Sequence, residues 1–147
     1  MSANICSGDI LAIQTGIIVH GCSISGIFDT AIANKWPQVY ESYSANMTKL
    51  KTGDVSIIWL DDSMTFAIAN AVTLSDNVND IDNESFRTIF EKVLQSAKID
   101  NLPIHYHQSI SGQDQSNFNQ VYKTICSVLN DHQHYLWLSQ EDKNLQF

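Results

Sequence analysis

A three-layer α/β/α sandwich around a mixed central sheet is predicted by three features of the sequence. Short apolar runs of strand length alternate with stretches whose apolar residues recur at helical spacing. Two of the strand-like runs are separated by the tight connection Asp61-Asp62-Ser63, too short for a crossover, so an antiparallel hairpin enters the sheet. The 147 residues, 44% of them hydrophobic, suffice for one core, and there is no repeat, low-complexity tract or linker to divide them. A single domain over residues 1–147 is the expectation.

Gly16-Ile17-Ile18-Val19-His20-Gly21 reads as a strand buried on both faces, closed by a turn at Gly21. From Phe28 the positions Phe28, Ala31, Ile32 and Trp36 keep helical spacing. Pro37 then disfavours helix at Trp36 and suits the first turn of a new one, predicting two short helices or one kinked helix. Val55 to Leu60 and Met64 to Val72 are the hairpin strands. A helix over Asn83 to Ala97 aligns Phe86, Ile89, Phe90, Val93, Leu94 and Ala97, with Asp82 as its cap and Ile81 and Phe86 placed as a hydrophobic staple. Pro103 to Tyr106 is a short strand, Phe118, Val121, Tyr122, Ile125 and Leu129 mark a further helix, and His134 to Leu138 is the last strand. Ligands of such sheets sit beyond the carboxyl ends of the strands, which directs attention to the loops after Gly21 and Tyr106.

The formal charge is −8, from 16 acidic and 8 basic residues, with Lys49 and Lys51 the nearest approach to a basic cluster. A protein that tracks phosphates needs clustered Lys and Arg, so a nucleic-acid partner is not expected. No apolar run approaches the roughly 20 residues needed to span a bilayer, and Met1 to Ile10 does not read as a secretory leader. A cytoplasmic protein without a membrane partner is expected. Cys6, Cys22 and Cys126 are odd in number and widely spaced, which reads as reduced thiols.

Two constellations are candidates for chemistry. The first joins Gly8-Asp9-Ile10-Leu11 to the segment His20 to Ala33, with Gly21 at its start; a turn before a helix presents backbone amides that receive phosphate without a lysine. Asp9 reads equally as a turn residue or cap. The second is Ser109-Ile110-Ser111-Gly112-Gln113-Asp114, where Asp114 fits a base, a partner for a sugar hydroxyl, or an ordinary helix cap. The pairs His105/His107 and His132/His134 each share a strand face, yet no third ligand accompanies either at metal-site spacing, so no metal or cofactor is expected. His20 and Cys22 also share a face, as any two core neighbours would. There is no Gly-Lys-Ser/Thr phosphate loop and no Gly-x-Ser-x-Gly elbow.

In order and spacing, GDIL (Gly8 to Leu11), IIVHGC (Ile17 to Cys22), Gly26, AIANKWPQVYESY (Ala31 to Tyr43), TGDVSII (Thr52 to Ile58) and IANAVT (Ile68 to Thr73) resemble the macro domain family. The likeness is greatest to bacteriophage macro domains and to the terminal ADP-ribose glycohydrolase class, and it extends over essentially the whole chain. The resemblance implies a cleft for ADP-ribose or a related adenine nucleotide. In it Asp9 would accept from the adenine amino group, with the Ile10 amide nearby, and Ser23 would stand where many members place an asparagine near the distal ribose. The segment Ser25 to Ala31, with Gly26, Ile27 and Asp29, would be one phosphate loop. Ser109 to Asp114, with Ile110, Ser111, Gly112 and Gln113, would be the second, and Asp114 matches the catalytic aspartate of the glycohydrolase class.

The departures bear on function. Asp29 and Ala31 replace glycines in the first loop, and Ile110 and Ser111 in the second, at positions where glycine lets backbone amides approach phosphate. A carboxylate about 5 Å from a phosphate charge costs on the order of 3 kcal/mol at an effective dielectric of about 20. If Asp29 instead caps the helix and points away, binding survives. Leu74 to Asp80 contains no lysine to match the nucleophile of the glycohydrolase class. Two readings follow: an ADP-ribose-type binding domain with weak or absent hydrolysis, or a dead enzyme whose fold serves a protein partner, as a phage accessory protein acting in host cytoplasm would. An unrelated α/β domain is the third.

Overall fold

The computed structural model describes residues 3–74, 83–111 and 118–138. Six strands form one sheet: β1 (Asn4–Ser7), β2 (Gly16–Ser23), β3 (Val55–Trp59), β4 (Phe66–Leu74), β5 (Ile104–His107) and β6 (His134–Leu138), in the order β1-β6-β5-β2-β4-β3. All neighbours are parallel except β3 and β4, which pair antiparallel with Val55 opposite Ala71 and Trp59 opposite Ala67. The mixed sheet and the hairpin expected around Asp61 are therefore present. Asp61 closes the hairpin connection, accepting from the Thr65 amide at 2.9 Å, the Phe66 amide at 3.2 Å and the Thr65 hydroxyl.

Among the described residues four helices cover the sheet: α1 (Thr30–Lys35), α2 (Pro37–Asn46), α3 (Asn83–Ile99) and α4 (Phe118–Leu129). Pro37 separates the first two as expected; Trp36 between them has φ −131° and ψ 80°, outside helical space, and Pro37 opens α2. The Asp82 cap and the Ile81 staple expected for α3 lie outside the described residues.

One face of the sheet is a continuous apolar core. Ile17, Val19, Ala67, Ala69, Ala71, Ile104, Tyr106, Leu136 and Leu138 meet Phe86, Ile89, Phe90 and Val93 of α3 and Phe118, Val121, Ile125 and Leu129 of α4. Each such buried side chain contributes about 1.5–3 kcal/mol of transfer free energy, so this face carries most of the stability. On the other face α1 and α2 cover β2, β4 and part of β3, with Ile32 and Val39 over Ile18, Phe66 and Ile68, Ile58 packed beside them, and Tyr43 over Cys22 and Val72. Beyond them β5 and β6 present His105, His107, Tyr135 and Trp137. Trp137 donates from Nε1 to His105 Nδ1 at 3.0 Å, and the His105 and Tyr135 rings stack at 5.0 Å.

Two expectations need correction. Strand β2 does not end at Gly21 but runs through it to Ser23. Gly21 is required there by crowding rather than by a turn, because a Cβ would fall 2.5 Å from Thr73 Oγ1 and 3.0 Å from the Ile110 carbonyl oxygen. Strand β1, which pairs with β6, was not expected: its four residues are mostly exposed and show no alternating apolar face.

Candidate functional site

A cleft of about 280 Å³ opens where the carboxyl ends of β1, β2 and β5 converge. One wall is Gly8 to Leu11, the chain leaving β1; the floor is Ile18 to Gly21 of β2; the remaining walls are Asp29 and Ile32 of α1 and His107, Ser109 and Ile110 after β5. The sequence places these segments up to about a hundred residues apart, and the parallel strands bring them together.

Asp9 caps the short 3-10 turn Ile10–Ala12, its Oδ1 accepting from the Leu11 amide at 2.9 Å. Asp29 does the same for α1, its Oδ1 accepting from the amides of Ala31 at 2.8 Å and Ile32 at 3.3 Å. The carboxylate thus caps the helix and still lines the cleft, combining the two placements the sequence set as alternatives. Neither Lys nor Arg is among the lining residues. Lys35 reaches the rim, but its ammonium donates to the Leu11 carbonyl.

At the floor, His20 is 8% exposed and stands opposite Asn70 in the β2–β4 register. Asn70 Nδ2 donates to the Val39 carbonyl at 3.0 Å, which turns Oδ1 toward His20; the imidazole therefore donates from Nε2 at 2.5 Å and carries its lone pair on Nδ1. That Nδ1 is buried and has no hydrogen-bond partner among the described residues. Burial holds the His20 pKa below the usual imidazole value, against the opposing pull of the Asn70 hydrogen bond and the Asp29 charge. Asn70 was not singled out in the sequence. Its signal was there: a lone polar residue inside each of two apolar runs, IIVHG and AIANAV.

Beside the cleft, Ile110 is held by Thr73, whose hydroxyl donates to the Ile110 carbonyl at 3.3 Å, and His107 Nδ1 accepts from the Ser109 amide at 3.1 Å. Phe28 is not in the cleft; its ring packs on His20, Tyr40 and Tyr43 at centroid distances of 4.8, 5.2 and 4.9 Å.

Of the residues named from the sequence, the structure gathers Asp9, Ile10, Gly21, Asp29, Ser109 and Ile110 around one cleft. Ser23, Gly26, Ile27 and Ser111 are not among its lining residues. Ser23 is fully buried and its Oγ accepts from the amides of Ser25 at 3.2 Å and Ile27 at 2.8 Å, so it organises the loop instead. Gly26 turns that loop at φ +110°, Ile27 is half exposed, and Ser111 is buried. Gly112, Gln113 and Asp114 lie outside the described residues. Cys22 is fully buried and its thiol is pushed up to about 12, which leaves it without nucleophilic character at neutral pH.

The fold and cleft define an α/β/α sandwich that opens at the carboxyl ends of its parallel strands. That sandwich is the macrodomain fold. A macrodomain protein from Streptomyces coelicolor superposes with a TM-score of 0.76 at 17% identity, covering 95% of this chain and 99% of that one. The macrodomain of Thermus aquaticus DarG gives 0.73 at 12% identity, over 94% and 97%. Thermosipho africanus DarTG, solved in complex with ADP-ribose, gives 0.74 at 12% identity, over 97% of this chain and 43% of that one. No protein-family model matches the sequence, and no curated protein matches it. At these identities it is the fold that is shared.

Proposed function

We propose that the chain binds ADP-ribose or a related adenine nucleotide in this cleft, with weak or absent hydrolysis. The observation that carries the reading is the open cleft itself: about 280 Å³ remain between Asp9 and Ile10 on one side and Ile110 on the other, although the glycines expected of its loops are replaced. In the fold's DarTG relative, solved with ADP-ribose, the ligand chemistry is of this class. Asp9 is the acceptor for the adenine amino group. Weak turnover follows from the sequence, since no lysine follows β4 between Leu74 and Asp82 to serve as nucleophile.

A thermal-shift series with adenosine, AMP, ADP and ADP-ribose tests the proposal. A bound ligand at a hundred times its dissociation constant adds about 2.7 kcal/mol of stability, a rise of several degrees in Tm. The rise is expected with at least one of the four in the wild type and is expected to vanish in Asp9→Ala. A flat response to all four would overturn the reading.

A second reading, a protein-interaction module, is favoured by the exposure of Ile27 at 49% and Tyr40 at 41%, two large apolar side chains flanking Phe28. Flat nucleotide shifts together with loss of a partner in Ile27→Asp would support it.

A further inference from the structure

We propose that the cleft selects for a donor-rich and weakly charged ligand, an adenine nucleoside carrying at most one phosphate, and discriminates against the diphosphates of the same class. The inference rests on the reading of the cleft as an adenine site and narrows its ligand.

Two independent observations meet in the cleft. The first is Asp29. Its Oδ1 already takes the first amides of α1, from Ala31 and Ile32, so those N–H groups are not offered to an anion. Its Oδ2 has no hydrogen bond among the described residues, and the carboxylate borders the cleft. The second is His20. His20 lines the cleft, and its Nε2 is committed to Asn70 on β4. Its buried Nδ1 lacks a donor among the described residues. A hydroxyl or amine of a ligand satisfies both groups; a phosphate oxygen, which only accepts, satisfies neither.

The surroundings do not offset this. Asp9 adds a second carboxylate and no cation lines the described walls. The Lys35 ammonium donates to the Leu11 carbonyl and is not one of the lining groups. The segments 75–82 and 112–117 contain neither Lys nor Arg in sequence. Each phosphate added to a ligand therefore meets two lining carboxylates and no lining cation, while each ribose hydroxyl meets an acceptor.

The test is titration calorimetry at low salt with adenosine, 2′,3′-dideoxyadenosine, AMP, ADP and ADP-ribose, on wild type and Asp29→Asn. Asparagine caps a helix about as well as aspartate, so the variant keeps α1 and removes only the charge. In wild type, adenosine or AMP is expected to bind at least tenfold more tightly than ADP, and the dideoxy analogue at least tenfold more weakly than adenosine. In Asp29→Asn, ADP is expected to gain at least fivefold while adenosine stays within twofold. Added salt is expected to narrow the wild-type gap between adenosine and ADP. ADP or ADP-ribose binding wild type as tightly as adenosine would overturn the inference while leaving the adenine site standing. Asp29→Asn leaving the ratio unchanged, or the dideoxy analogue matching adenosine, would overturn it in the same way. Failure of all five ligands on both proteins would instead remove the adenine site and the inference with it.

Discussion

On β5 and β6 the residues facing α3 and α4 are Ile104, Tyr106, His134, Leu136 and Leu138, while the residues between them, His105, His107, Tyr135 and Trp137, face the opposite way. Strand β2 is written likewise, Ile17 and Val19 toward one side and Ile18 and His20 toward the other. Side-chain alternation along a strand separates the two tasks: one face is sealed by two long amphipathic helices and holds the fold, and the other, only half covered, holds the cleft. The sealed face contains few polar groups; Tyr106 Oη meets His134 Nδ1 at 2.9 Å, while His134 Nε2 is buried without a partner among the described residues. The open face contains the two carboxylates that border the cleft, Asp9 and Asp29, and the lone pair of His20 Nδ1.

If the division of labour is real, damage to each face should register differently. The largest effect is expected from Phe90→Ala, which hollows the core under α3: a loss of about 3–5 kcal/mol in urea unfolding, with adenosine affinity of the folded fraction within twofold of wild type. Loss of binding without loss of stability would break the distinction. Acid should attack both faces together. His105 and His134 have pKa values lowered to about 4 by burial, below their unfolded value of 6.5, so the unfolded chain takes up protons first as pH falls. Stability is therefore full above about pH 6.5 and is lost between pH 6.5 and 4, with no further loss from these groups below 4. For the two together the loss is on the order of 3 kcal/mol once their partial solvent exposure is discounted, and a pH series of chemical denaturation measures it. A pH-independent midpoint over that interval would contradict the burial of both rings.

Gly21→Ala sharpens the contrast further. Its Cβ would collide with Thr73 Oγ1 and the Ile110 carbonyl, so about 1–3 kcal/mol of stability and most ligand binding are expected to go together, since the displaced residue, Ile110, forms the cleft wall. The smallest effect belongs to Asp29→Ala. It removes the cap of α1, at about 1 kcal/mol in thermal or urea unfolding, and Asp29→Asn restores most of that.

What was legible in the sequence followed from local physics. The periodicity of α3 and α4, the break at Trp36-Pro37 and the hairpin at Asp61 are each set by residues close in the chain. What was not legible depends on distant residues meeting. Strand β1 has no apolar periodicity of its own and exists because β6 offers it hydrogen bonds. Gly21 read as a strand end because the approach of Thr73 and Ile110 is invisible locally. The pairing of His20 with Asn70 spans fifty residues. Asp9, Ile10, Asp29 and Ile110, named from the sequence, line one cleft, while the Ser23 hydroxyl accepts from the Ser25 and Ile27 amides of its own loop, a contact no local pattern announces.

The pairing of β1 with β6 has a temporal meaning as well. A growing chain makes residues 4–7 some 130 residues before the strand that receives them, 134–138, so β1 must wait for that whole intervening stretch before it finds its place. Gly8 to Leu11 follow directly on that strand and form a wall of the cleft. That wall of the cleft is thus fixed only once residues 134–138 have been made, later than α3 and the inner strands on which the core is built.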